Sequence, residues 1–542
     1  MTGLMMDYPL TLTHILERSA KIYPRREIAS RLPDGAMHRY TYRDFHQRVH
    51  RLAHALHNLG VRMGDRVGTL CWNSSRYLEL YFAIPCAGAV LHTLNLRLAS
   101  DQLSYIINHA ADRVLFVDAS LLPMIEPIRG ELKTVERIVV LNDLADQVVF
   151  EPLGYETLLA AAPEAPYPWP ILDENAAAAM CYTSGTTGEP KGVVYSHRSL
   201  FLHSYGLCMV DSFALSERDT ILQLVPMFHA SGWGLPYAGI MTGSSLVLSG
   251  RQQQPADIAL LIEKERVTFS AGVPTLWMGL YNYIESHPHD LSSLRMIFAA
   301  GSALPRQFVE LYQKKYGIHF MLGWGMTEIS PIATVTALKR HLESLPDEER
   351  FNFMARHGLP LAGVDIRIVD PAGEELPWDG LAMGELQARG PWVAGSYYND
   401  PRSDASFMDG WLRTGDIATI DAEGYIQITD RTKDLVKSGG EWISSVDLEN
   451  AIMAHPKVAE AAVVGVFHPK WQERPLACVV PQAEHRDQIT KQEILDFLSS
   501  RVAKWWLPDD VVFIEAVPKT SVGKFNKRAL RERFKDYRLP GA

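Results

Sequence analysis

The sequence predicts an α/β protein: a large N-terminal unit of layered α/β subdomains, a β-rich subdomain behind it, and a small mobile α+β C-terminal domain. Three observations carry this reading. Helix-spaced apolar residues are repeatedly followed by short apolar runs, the texture changes to short strands and turns after Gly363, and a compact mixture of helix and strand resumes beyond Arg431. At 542 residues the chain also exceeds what one hydrophobic core normally supports, so at least two units are expected.

Over 41–59 the apolar residues of TYRDFHQRVHRLAHALHNL fall at helical spacing, Gly60 provides a stop, and 67–70 is a short apolar strand. The same alternation recurs as helix 102–108 before strand 114–117, helix 258–265 before strand 267–270, and helix 308–316 before strand 318–322. The proline-rich stretch 161–170 reads as a surface connection. After Gly363, VDIRIVD, GELQARG and the run 415–430 around the turn Asp421-Ala422-Glu423-Gly424 predict a β-rich subdomain. A boundary is expected near 430–433, dividing the chain into 1–430 and 431–542; within the second unit helix 446–455, strands 461–467 and 476–480, and helix 491–501 are expected.

Composition narrows the classes of function. Lys and Arg total 53 against 63 Asp and Glu, a net charge of −10, and no dense basic stripe interleaved with aromatics is present, which argues against a nucleic-acid partner. Cys71, Cys86, Cys181, Cys208 and Cys478 are scattered without a CxxC spacing, as expected of reduced, buried thiols. The start, MTGLMMDYPL, lacks the basic and apolar pattern of a signal peptide, and no run of about 18 apolar residues could cross a bilayer. A cytoplasmic location is the expectation.

The densest chemical signal is 182–192, YTSGTTGEPKG, with three glycines, four serine or threonine hydroxyls and one lysine in eleven residues after an apolar stretch. Such a loop suits a polyphosphate: glycines let backbone N–H groups turn inward, hydroxyls add donors, and Lys191 brings a mobile charge. It departs from the GxxxxGK[ST] loop because Pro190, not glycine, precedes the lysine. Taken singly, the other polar positions have ordinary readings: Thr327-Glu328 as a helix start, Asp416 and Arg431 as a surface ion pair, Lys524 as a solvated charge, and His229 and Trp233 as core residues.

In order along the chain stand 182–192, 225–238 (VPMFHASGWGLPYA), 323–328 (GWGMTE), 411–416 (WLRTGD), 430–444 (DRTKDLVKSGGEWIS) and 518–524 (PKTSVGK). This series resembles the adenylate-forming superfamily of acyl-CoA synthetases, luciferases and peptide-synthetase adenylation domains, over nearly the whole chain. Within it the sequence looks most like the medium- and long-chain fatty acyl-CoA synthetases and the related ligases of methylthioalkanoates.

The resemblance implies ATP, Mg²⁺ and coenzyme A as cofactors and a small-molecule carboxylic acid as substrate. It assigns Thr183, Ser184, Gly185, Thr186, Thr187, Gly188 and Lys191 to the triphosphate, with Ser302 and Gly323 in the nucleotide site and Trp324 packed on adenine, where the family more often has tyrosine. Thr327 is expected on the α-phosphate and Thr183 and Glu328 at the metal. Asp416 and Arg431 are expected on the ribose, Lys433 at a hinge, and Lys437 and Trp442 on the nucleotide. His229 is assigned beside the acyl carboxylate, Trp233 at the mouth of an acyl tunnel, and Ser438, Gly439, Gly440 and Glu441 along the CoA channel. Lys524 is the implied catalytic cation, poised where negative charge spreads in the transition state. The expected reaction joins a medium- or long-chain fatty acid to CoA through acyl-AMP. The alternatives are a ligase for a short thioether acid such as 3-(methylthio)propanoate and a luciferase-like or carrier-loading enzyme. Homodimers and peripheral membrane contact both occur among such relatives.

Overall fold

The computed structural model describes residues 1–542 other than 2, 142–152, 184–188, 302–303, 432–433, 439–440, 487, 520–524 and 541–542; for Glu441 and Trp442 it describes the backbone alone. The first predicted helix forms over Tyr42–Asn58. Thr41 caps it: its hydroxyl accepts from Asp44 N–H, while the Asp44 carboxylate accepts from Thr41 N–H at 2.8 Å. Phe45, Val49, Leu52 and Leu56 then bury one face completely, and strand Arg66–Leu70 follows. Helix Pro255–Lys264 also forms, but its strand begins two residues later than expected, at Phe269–Gly272. The cause is local. Arg266 turns left-handed (φ 50°) and Val267 N–H donates to the Ile262 carbonyl at 3.1 Å, so the start of the apolar run closes the helix before it can join a sheet.

Two large sheets carry the N-terminal part. In one, Leu153–Gly154, Arg137–Val140, Asp112–Val117, Arg66–Leu70, Val90–Thr93, Ala177–Tyr182 and Gly192–Ser196 lie side by side, parallel except for the last pair. In the other, His319–Gly325, Met296–Ala299, Phe269–Gly272, Thr220–Gln223, Ser245–Leu248 and Glu27–Arg31 run parallel, and antiparallel strands finish both edges. Parallel sheets covered by helices explain the apolar runs of the sequence. The β-rich subdomain is a five-stranded antiparallel sheet built on Asp365–Val369, Gly384–Arg389, Trp411–Ile420 and Ile426–Arg431. Beyond it, Val458–His468 and Gln472–Pro481 form a long hairpin flanked by helices Ser445–Met453 and Lys491–Ser499. Among the described residues no helix is long and apolar enough to cross a membrane.

The proline-rich connection is more firmly held than its composition suggests. Tyr167 N–H donates to His50 Nδ1 at 2.8 Å, Trp169 Nε1–H donates to Glu17 Oε1 at 2.8 Å, and His54 Nε2 lies 3.0 Å from the Ala165 carbonyl. The side chains of Glu17, His46 and His50 cluster closely enough to suggest a metal site. However, His50 Nδ1 accepts an N–H, which leaves the ring proton on Nε2 and makes that atom a donor to Glu17 rather than a metal ligand.

Burial holds His197, His203 and His357 neutral, with pKa values pushed down to about 4, about 3 and about 4. Their folded pKa values lie below the unfolded 6.5, so the unfolded chain binds more protons, and their contribution to stability is lost as pH falls from 6.5 towards 4. Thermal melts should show this decline. The substitution His203→Gln, at a side chain that accepts Ile332 N–H, should flatten it by on the order of 3 kcal/mol at pH 4; an unchanged slope contradicts the assignment.

Candidate active site

The strands on either side of the phosphate-type loop pair antiparallel, unlike the strand-to-helix arrangement of an ordinary P-loop. Tyr182 stands opposite Gly192, Thr183 N–H donates to the Lys191 carbonyl at 2.9 Å, and Lys191 N–H donates back to the Thr183 hydroxyl at 3.2 Å. The hairpin is pinned from outside. Tyr182 Oη lies 2.7 Å from His109 Nδ1, Tyr398 N–H donates to the Gly192 carbonyl at 2.8 Å, and Arg402 donates to the Glu189 carbonyl at 3.1 Å. Ser184, Gly185, Thr186, Thr187 and Gly188 lie outside the described residues.

Strand His319–Gly325 delivers the GWGMTE segment to this hairpin. Its glycines are required by close approach: a Cβ on Gly325 would sit 1.9 Å from the Pro331 carbonyl oxygen, and one on Gly323 would sit 2.3 Å from that of Thr334. The chain then turns through Thr327–Ile329, where the Thr327 carbonyl accepts the Tyr195 hydroxyl at 2.7 Å. Glu328 is only 6% exposed, and the Tyr397 hydroxyl donates to its Oε1 at 2.7 Å. Over the Tyr397 ring lies the Lys191 ammonium, 4.3 Å from the centroid. Burial raises the Glu328 carboxyl pKa above its ordinary value, against the pull of the Tyr397 hydroxyl and the charges of Arg431 and Lys191. Burial likewise lowers that of Lys191, helped by the charge of Arg402. Loop lysine and acidic residue are thus joined through one tyrosine.

A second carboxylate lies on the β-rich sheet. Asp416 faces Arg431 across paired strands, and Arg431 Nε reaches Asp416 Oδ1 at 3.1 Å. Its other oxygen, Oδ2, accepts the indole N–H of Trp324 at 2.7 Å, with Trp324 and Asp416 both buried. Motifs 92 residues apart therefore meet directly.

The 225–238 segment reaches the same region along an apolar route. His229, half-buried, donates its N–H to the Pro226 carbonyl at 2.9 Å and accepts Gly232 N–H at 2.9 Å. Ala230, Ser231, Gly232, Trp233 and Gly234 then all take positive φ, from 36° to 75°. Left-handed backbone at three non-glycine residues costs about 1–3 kcal/mol each and needs support. The Gln223 side-chain amide supplies some, donating to the Val225 carbonyl at 2.7 Å and the Gly232 carbonyl at 3.2 Å. The turn seats the Trp233 ring edge-on against Phe298, 5.9 Å between centroids, and Phe298 is the same ring that crowds Gly323.

On the C-terminal side, Lys437 and Trp442 are directly opposite in the hairpin of Val436–Ser438 and Glu441–Ile443, as are Ser438 and Glu441. Lys437 is exposed, and the Ser438 hydroxyl accepts from Arg474 at 3.1 Å. Ser302, Lys433, Gly439, Gly440 and Lys524 lie outside the described residues, as do the side chains of Glu441 and Trp442. Sequence reasoning missed Tyr397 and Tyr195 as parts of the site. Nothing in the type or spacing of Tyr397, within GSYYND, marks it; only the chain's return past Glu328, where Ala394 N–H donates to the Glu328 carbonyl at 2.7 Å, makes it a neighbour.

The profile of the AMP-binding enzyme family matches residues 16–398, and that of the AMP-binding enzyme C-terminal domain matches 447–524. The chain belongs to the AMP-binding enzyme family, among its AMP-forming acid–CoA ligases. It is 51% identical over 537 residues to a long-chain-fatty-acid–CoA ligase of Thermus thermophilus, covering 98% of this chain and 97% of the other. Identity to a 3-methylmercaptopropionyl-CoA ligase of Ruegeria lacuscaerulensis is 43% over 539 residues, 99% of each chain. The fold matches the crystal structure of an anthranilate CoA ligase in complex with anthranoyl-AMP, with a TM-score of 0.86, 28% identity, and coverage of 97% and 98%.

The Glu328–Tyr397 contact can be tested by stability alone. Tyr397→Phe keeps the ring under Lys191 but removes the tyrosine donor from a buried carboxyl, and should cost about 1–3 kcal/mol in urea unfolding. No loss would mean that the hydroxyl does not hold Glu328 in solution.

Proposed function

We propose that the protein is an ATP-dependent acyl-CoA synthetase that activates a medium- or long-chain fatty acid. One carboxylate oxygen of the acid attacks the α-phosphorus of ATP, the bond to the β-phosphate oxygen breaks, and pyrophosphate leaves. The sulfur of CoA then attacks the acyl carbonyl, AMP departs with the bridging oxygen, and the thiol proton goes to solvent. The observation that carries the reading is a pair of contact sets carried on the one segment 323–328: Lys191 reaches Glu328 through Tyr397, and Trp324 reaches Arg431 through Asp416.

In this reading Lys191 and the hydroxyls and N–H groups of 183–188 bind the triphosphate, Thr327 contacts the α-phosphate, and Asp416 and Arg431 hold the ribose. A desolvated carboxylate beside a hydroxyl loop is a fitting donor set for a hard divalent cation, so Thr183 and Glu328 would hold Mg²⁺. When bound, that ion neutralises phosphate charge. Ser302, Gly323 and Lys437 complete the nucleotide site with Trp442. His229 positions the acid. Trp233, packed on Phe298, closes an apolar pocket in which each buried methylene contributes about 0.8 kcal/mol. Chain length favours the fatty acid because the relative at 51% identity carries that name. The 43% relative supports a second reading, a short thioether acid. A carboxylate panel assayed for CoA-dependent AMP release separates them, and it also separates both from luciferase-like or carrier-loading chemistry, which does not require free CoA.

The two steps need different surfaces around one nucleotide. The proposed division is therefore a body of 1–430 and a mobile domain of 431–542 pivoting at Lys433, which presents Lys524 first and the segment 438–441 second. Lys524→Ala should reduce acyl-AMP formation by roughly 10²–10³-fold while retaining most thioester formation from supplied acyl-AMP. Equal loss in both half-reactions would reject the division of labour.

A further inference from the structure

Resting on the proposed nucleotide site, the geometry points to Trp324 as a positioning residue that fixes the ribose-reading carboxylate and so sets the preference for ribonucleotides over deoxyribonucleotides. The argument is one of lone pairs. An ionised carboxylate has two oxygens and about four acceptor sites. Arg431 Nε occupies one at Oδ1 (3.1 Å) and the Trp324 indole N–H one at Oδ2 (2.7 Å), which pins the carboxylate plane from both ends. Among the described residues one acceptor site then remains on each oxygen, aimed by those two bonds, and a vicinal diol carries two hydroxyl donors to match.

Orientation is what the indole adds. Arg431 alone is a single contact on a strand-borne side chain, and a carboxylate held at one oxygen can turn about its Cβ–Cγ bond. Trp324 is suited to stop this because it is itself fixed: buried, with its backbone N–H donating to the Thr334 hydroxyl at 3.0 Å, on a strand whose flanking glycines admit no Cβ. An indole places its N–H on the ring edge, whereas phenylalanine has no donor and tyrosine carries its hydroxyl along the ring axis. Sites built to hydrogen-bond a hydroxyl discriminate strongly against the analogue lacking it, but only while the acceptor is held in place.

The test compares ATP with 2′-deoxy-ATP in wild type and Trp324→Phe, by calorimetric binding without acid and by kcat/KM with a saturating acid. Any loss of stacking on adenine affects both nucleotides alike and cancels in the ratio. Removal of a hydrogen bond to a charged group should cut the preference for ATP by about tenfold, with 2′-deoxy-ATP little changed. Equal weakening of both nucleotides would show Trp324 to be only an adenine platform or a packing residue and would overturn the inference, as would an unchanged ratio. Should Trp324→Phe fail to fold, Trp324→Leu, which also lacks a donor, carries the same expectation. Wild type that binds neither nucleotide would instead refute the nucleotide site itself.

Discussion

Two carboxylates held out of water organise this protein. Glu328 and Asp416 are 6% and 4% exposed, and each is kept there by donors brought from distant parts of the chain: Tyr397 for Glu328, and Trp324 with Arg431 for Asp416. A buried carboxylate without such partners is strongly disfavoured, so the two sheets that carry Trp324 and Arg431 and the loop that carries Tyr397 are constrained to one arrangement. The glycines of GWGMTE, the return of the chain past Ala394, and the strand pairing that sets Asp416 against Arg431 all serve that constraint.

The same arrangement gives the site its electrical character. Lys191, over the Tyr397 ring, is made easier to deprotonate by burial, and Glu328 easier to protonate, so both groups gain from an incoming ligand that brings opposite charge to each. On the proposed reading that ligand is a metal-bound triphosphate. The strained left-handed turn at 230–234, supported by Gln223, fits the same account: backbone strain is tolerated where it aims particular side chains, here Trp233.

Much of this was legible in the sequence, for identifiable reasons. Helical spacing over 41–59 was reliable because one face must be buried, and the parallel strands showed as apolar runs because both their faces are covered. Strand starts were less legible: the slip from 267 to 269 depends on a left-handed Arg266 that no pattern announces. The motifs located Glu328, Asp416, Arg431 and Lys191, yet not what joins them. Tyr397 lies 69 residues from Glu328 and Trp324 lies 92 from Asp416, and a hydrogen bond over such separations depends on how the sheets pack, which residue type alone does not reveal. Composition also made the stretch 161–170 look loosely attached, since a run of prolines gives no hint of the histidine ladder that fastens it.

The central claim is that a carboxylic acid is activated here by transfer to AMP. The most direct measurement is exchange of labelled pyrophosphate into ATP, with magnesium present and CoA omitted, across straight-chain acids of increasing length. The account predicts exchange that depends on the acid and strengthens with an apolar tail. Folded, magnesium-replete protein that exchanges no label with any of these acids would contradict it.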